Sequence, residues 1–312
     1  MENMIEINRL VKKYGANFAV NDISFTVKKG EIVGFLGPNG AGKSTTMNIL
    51  TGYLSATSGE AKVAGIDILE NPIEAKKHIG FLPEHPPLYL DMTVKEYLGF
   101  VYDLKGCNLP KKQHIAEICS VMKIEDVFKR PIAHLSKGYK QRVGVAQALI
   151  GNPDILILDE PTVGLDPNQI IEIRNLISSL GKKHTIILSS HILPEVQAVC
   201  DRVIIINKGQ IVADEKTENL NVITGSRKYF AKITGKPENV INIVKDIPGV
   251  VSCVNTEQKE LDTFTYLIES QTDSDIRKML FRAVADNGLC MIGLEPAYAN
   301  LEDVFISLVN NK

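Results

Sequence analysis

The segment Gly37-Pro38-Asn39-Gly40-Ala41-Gly42-Lys43-Ser44-Thr45 has the spacing GxxxxGK[ST] and follows the apolar run Ile32-Val33-Gly34-Phe35-Leu36. Glycines in such a loop let successive backbone N–H groups turn inward around an anion. Lysine adds a point charge, and a helix starting near Lys43 aims its positive end at the same place. The chemistry this predicts is cradling of a nucleoside triphosphate, with the Ser44 hydroxyl available to an accompanying Mg²⁺. By itself the loop does not separate kinases, GTPases and transport ATPases.

A second apolar run, Ile155-Leu156-Ile157-Leu158, ends in Asp159-Glu160 and reads as a buried parallel strand with two carboxylates at its carboxyl end. Asp159 is then the carboxylate on the Mg²⁺ side. Glu160 can orient or deprotonate a water for in-line attack on the terminal phosphate, which favours hydrolysis over phosphate transfer. A third run, Thr185-Ile186-Ile187-Leu188-Ser189-Ser190, leads directly into His191.

Between the loop and the carboxylates lies Leu135-Ser136-Lys137-Gly138-Tyr139-Lys140-Gln141-Arg142. This segment resembles the signature motif, usually LSGGQ, of the ATP-binding cassette (ABC) ATPases, and the order of motifs along residues 1–220 is similar to that family throughout. The resemblance implies that ATP binds at Gly37–Thr45, that Ser136 and Gly138 contact the terminal phosphate held by an opposite subunit, and that catalysis needs two cassettes. It also implies that Tyr14 stacks on adenine, that Asp166 in Gly164-Leu165-Asp166-Pro167 bridges the two nucleotide sites, and that His191 contacts the terminal phosphate. Read from the residues alone, Ser136 is a helix N-cap, Asp166 precedes a helix with Pro near its first position, and Tyr14 is a packing residue beside a turn.

The run Ile79-Gly80-Phe81-Leu82-Pro83-Glu84 occupies the place where the family commonly carries Gln, so Glu84 is a departure. Glutamate retains an oxygen for Mg²⁺ or the attacking water and adds a negative charge beside the triphosphate. The longer segment Phe81–Tyr89 is most similar to ATP-binding proteins of multidrug-type and gliding-motility-type exporters.

With 312 residues, 44% hydrophobic and 23% charged, the chain has an ordinary globular balance, and a formal net charge of −2 gives no basic excess toward nucleic acid. No stretch approaches the roughly 20 apolar residues that span a bilayer, and Met1-Glu2-Asn3-Met4 lacks the features of a signal peptide. Cys107, Cys119, Cys200, Cys253 and Cys290 show no CxxC spacing, which predicts reduced thiols in the cytoplasm.

These elements predict an α/β fold: an ABC-type P-loop NTPase domain over 1–221, with an antiparallel β subdomain before residue 80 and a helical subdomain over about 86–150. Thr93-Val94-Lys95-Glu96 has the form of a capping box opening the helical part. Leu98, Val101, Ile115, Ile118 and Met122 are its core positions. Over 222–312 the pattern β-α-β-β-α-β predicts a small ferredoxin-like accessory domain, followed by a packed helix over 301–308. The function expected is that of an ATP-hydrolysing subunit powering an ABC transporter, an exporter by likeness. It would work as a head-to-tail homodimer or heterodimer on transmembrane permease subunits, peripheral on the inner face of the cell membrane and without nucleic acid. The alternative is a soluble ABC-type ATPase or nucleotide-dependent regulator not coupled to transport.

Overall fold

In the computed structural model, which describes residues 2–219, 226–260, 262–271 and 275–297, the three apolar runs become β3 (Ile32–Leu36), β7 (Ile155–Asp159) and β8 (Thr185–Ser190). Each is buried at every position, as strands covered on both faces must be. With β6 (Ile79–Leu82), β9 (Arg202–Asn207) and β10 (Gln210–Lys216) they form a six-stranded sheet of order β10-β9-β3-β8-β7-β6. All its pairs are parallel except β9 with β10.

A second sheet, of order β2-β1-β4-β5, joins β1 (Asn3–Tyr14), β2 (Asn17–Lys28), β4 (Ser58–Val63) and β5 (Ile66–Asp67) by antiparallel pairing. Its inner face and that of the larger sheet share one core, in which the rings of Phe25 and Phe35 lie 5.5 Å apart.

Helices α1 (Lys43–Leu50), α2 (Pro72–Lys77), α3 (Val94–Leu104), α4 (Lys111–Met122), α5 (Lys137–Leu149), α6 (Pro167–Leu180) and α7 (Leu193–Gln197) complete this unit. The capping box forms at α3: the Thr93 hydroxyl accepts from the Glu96 N–H, and the Glu96 carboxylate accepts from the Thr93 N–H. Leu98, Val101, Ile115, Ile118 and Met122 are all buried, as their helical spacing requires.

The chain divides between Thr217 and Glu218 into two units. In the second, β11 (Ser226–Thr234), α8 (Pro237–Lys245), β12 (Val250–Glu260), β13 (Thr263–Gln271), α9 (Arg277–Asp286) and β14 (Met291–Ala297) follow in the order β-α-β-β-α-β. The sheet order β12-β13-β11-β14, antiparallel throughout, is that of a ferredoxin-like fold. Its own core packs Val240 and Val244 of α8 and Leu280 and Val284 of α9 against Tyr229, Ala231, Tyr266 and Ile268. The helix expected over 301–308 lies outside the described residues. Among the described residues no helix is long and apolar enough to cross a membrane.

Candidate active site

The loop after β3 is shaped by close backbone approach. A Cβ on Gly37 would lie 2.4 Å from the Ile206 carbonyl oxygen, and one on Gly42 2.4 Å from that of Ala19. Gly42 also has φ 108°, a conformation L side chains rarely adopt, and its carbonyl accepts from both the N–H and the hydroxyl of Thr46, starting α1.

Lys43 is turned back over this loop. Its Nζ donates to the carbonyls of Gly37 at 2.7 Å and Pro38 at 3.3 Å, and lies 3.3 Å from Glu160 Oε1. Lys43 and Glu160 are each only 5% exposed, so the cation is buried among these three acceptors.

The two carboxylates at the end of β7 are held from β8, where Ser189 stands opposite Asp159. The Ser189 hydroxyl donates to Asp159 Oδ1 and accepts from the Glu160 N–H at 2.9 Å, using both capacities of one oxygen. Glu160 itself has φ 48°, the left-handed region uncommon outside glycine. Its Oε2 lies 2.9 Å from His191 Nδ1, which places the imidazole proton on that nitrogen when the carboxylate is ionised. The two oxygens of Glu160 are thus divided between a lysine and a histidine.

A cavity of about 460 Å³ opens here. Pro38, Asn39, Gly40, Gly42, Lys43, Ser44 and Thr45 line it from the loop. Glu160 and His191 line it from the two strand ends, and Glu84 from the segment after β6. Ala19 and Val163 also line it and carry no sequence signal of their own. Gly37, Ala41 and Asp159 lie outside that lining. Tyr14, half exposed at the end of β1, pairs with Asn17, two residues before Ala19.

Ser136, Gly138 and Asp166 are brought together elsewhere. Ser136 caps α5 by accepting from the Tyr139 N–H, and Asp166 caps α6 by accepting from the Gln169 N–H at 2.9 Å. A Cβ on Gly138 would meet the Gln169 side chain at 2.8 Å, so the starts of α5 and α6 abut. The departure from the signature spelling at Tyr139 has a local partner: its hydroxyl donates to Asp126 Oδ2 at 2.8 Å, which pushes the phenol pKa up.

Ser44, Glu84 and Asp159 offer hydroxyl and carboxylate oxygens only, and among the described residues no group of three or more His, Cys, Asp or Glu is placed to hold a metal ion. That donor set suits Mg²⁺, which takes one or two carboxylates and completes its shell with water and phosphate oxygens. It does not suit an ion needing an all-protein cage.

A strand, a glycine loop closed over a buried lysine, and a strand-end glutamate paired with a histidine define an ATPase of the P-loop class. The chain belongs to the ABC transporter family, as one of its ATP-binding, ATP-hydrolysing proteins. The family model described as ABC transporter matches residues 20–163. The bacitracin transport ATP-binding protein BcrA of Bacillus licheniformis is 32% identical over 99% of this chain and 98% of its own. The linearmycin resistance ATP-binding protein LnrL of Bacillus subtilis is 32% identical over 98% of each chain. Among solved structures, the dimeric post-hydrolysis state of the ATP-binding cassette MJ0796 bound to ADP and Pi aligns with a TM-score of 0.62 and 26% identity, over 69% of this chain and 99% of that one.

Proposed function

We propose that this chain supplies the energy for an exporter. It binds ATP with Mg²⁺, pairs head to tail with an identical or related ATPase subunit, and acts from the cytoplasmic face on separate transmembrane permease subunits. The observation that carries hydrolysis is the position of Glu160, buried in the cavity wall with one oxygen toward Lys43 and the other on His191.

In this reading Lys43 and the loop N–H groups hold the β- and γ-phosphates, and Glu160 takes the proton of the attacking water. His191, donating from Nδ1, fixes that carboxylate, and a hydrogen bond from Nε2 to a terminal phosphate oxygen requires the doubly protonated ring. Mg²⁺, when bound, offsets phosphate charge and would be held by Ser44, Asp159 and Glu84. Tyr14, paired with Asn17 close to the cavity residue Ala19 in the chain, receives the adenine.

Ser136, Gly138 and Asp166 are assigned to the second subunit's nucleotide. Their common placement at the abutting starts of α5 and α6, outside the cavity lining, supports that assignment, as does the dimeric state of the related cassette. Export is supported by the relatives named for bacitracin transport and linearmycin resistance. Residues 222–312 are read as an accessory domain, which the matches to those two relatives extend into.

Mixing two variants tests the arrangement. Ser136→Arg paired with Lys43→Ala leaves one composite site with an intact loop and an intact signature. Occlusion of one ATP per heterodimer is expected; two or none would overturn the head-to-tail reading.

A further inference from the structure

Thr162 and Glu195 are 7% and 6% exposed, and the Thr162 hydroxyl donates to Glu195 Oε2 at 2.5 Å. No salt bridge joins Glu195 to a cation among the described residues. A carboxyl group so enclosed is costly to bury unless its hydrogen bonds compensate. The pair adds nothing to the cavity lining, so its value must lie in what it holds.

It joins the two segments that carry the hydrolytic groups. Thr162 lies two residues after Glu160, and Glu195 four residues after His191. β7 and β8 are adjacent, and three ties run across them in series: Ser189 to Asp159 and the Glu160 N–H, His191 to Glu160, and Thr162 to Glu195. The first two involve the strand ends themselves; the third is the tie beyond them, where the chain has left the sheet.

The need for it follows from the backbone. Glu160 sits at φ 48°, and such a conformation persists only where the surroundings over-determine it. The turn from Glu160 is closed by the Val163 N–H on the Glu160 carbonyl at 3.2 Å, and the Thr162 carbonyl accepts from the Leu165 N–H at 3.2 Å. Thr162 is the member of that turn, besides Glu160 itself, whose side chain reaches the opposite segment.

We propose that Thr162 and Glu195 are a positioning pair for ATP hydrolysis, holding the Glu160 turn against the His191 segment so that carboxylate and imidazole stay within hydrogen-bond reach. The proposal rests on the reading of Glu160 and His191 as hydrolytic groups.

The test uses the full chain, comparing Thr162→Val, Thr162→Ser and Glu195→Gln, with Glu160→Gln as reference, by steady-state ATPase rate and direct ATP binding. Thr162→Val should lower kcat about tenfold or more, the scale of a misplaced reacting group. ATP affinity should stay within about twofold, because the phosphate loop is untouched. Thr162→Ser should restore the rate, and Glu195→Gln, whose amide oxygen still accepts, should retain most of it. Should Thr162→Val fail to fold, Thr162→Ala against Thr162→Ser gives the same comparison. Parental kcat in Thr162→Val beside an inactive Glu160→Gln would overturn the pair while leaving the hydrolytic reading standing. Equal losses in the Val and Ser variants, or loss of affinity in step with rate, would overturn it as well. Parental turnover in Glu160→Gln would sink both readings.

Discussion

Gln147 of α5 donates its side-chain N–H to the Phe81 carbonyl at 2.6 Å, tying the helix that starts at Ser136 to the segment that carries Glu84 into the cavity. The same contact is drawn tight by glycine. A Cβ on Gly80 would lie 2.3 Å from the Ala148 carbonyl, and one on Gly144 2.8 Å from Leu82.

Gly80→Ala should therefore destabilise the chain by about 1–3 kcal/mol, the range of overpacking in a closed site. Gly99, inside α3, offers the contrast: its Cβ would meet nothing closer than 3.8 Å. Gly99→Ala should stabilise by about 0.5–1 kcal/mol, because alanine costs less backbone entropy in a helix. Thermal midpoints of the two variants should move in opposite directions.

Glu160→Gln should keep ATP binding and lower turnover by about a hundredfold or more, the usual worth of a general base. The amide can still accept near Lys43 but cannot take a proton. Binding calorimetry and a phosphate-release assay on one preparation distinguish the two effects, and turnover at the parent rate would refute the assignment.

Glu84 separates charge from coordination. Glu84→Gln should hold basal hydrolysis within about tenfold, ~1.4 kcal/mol of barrier, because an oxygen ligand remains, and should weaken the Mg²⁺ dependence of ATP binding. Glu84→Ala should do more damage. Identical rates and Mg²⁺ dependence in all three forms would show that Glu84 lines the cavity without serving it.

The capping box makes an acid prediction. The Thr93 N–H and hydroxyl hold the Glu96 carboxyl below its ordinary value of 4.5. A depressed carboxyl contributes stability that is complete above its unfolded pKa and is lost as pH falls through the folded one. Melting followed from pH 6 downward should show that loss beginning below about pH 4.5, and Glu96→Gln should flatten the dependence there.

Much of the site was legible because its members follow apolar runs that can only be buried strands. Lys43, Asp159, Glu160 and His191 each follow such a run, and the fold brings them to the carboxyl ends of neighbouring strands. Glu84 was legible through the segment it ends. Ser189, Ala19, Val163 and the Thr162–Glu195 pair were not, because their roles depend on which strands lie side by side. Nothing local places Ser189 against a carboxylate 30 residues earlier. In the fold, the β-α-β-β-α-β pattern was legible in the sequence, whereas the full extent of β1, from Asn3 to Tyr14, was not. Register shifts between Ile7 and Leu10, with Arg9 at φ 48°, break the two-residue period there.

The left-handed backbone at Glu160 sets local backbone strain against side-chain pairing at a single position. Glycine there would relieve about 1–2 kcal/mol of strain while Lys43 kept its two loop carbonyls and the residue 160 N–H kept Ser189. The same change would strip the buried Lys43 cation of the carboxylate 3.3 Å away, a loss that exceeds the relief, so a laboratory selection for heat resistance would keep the carboxylate. On the hydrolytic reading of Glu160, folding and turnover therefore ask for the same side chain, and its persistence in such a population would not tell the two demands apart.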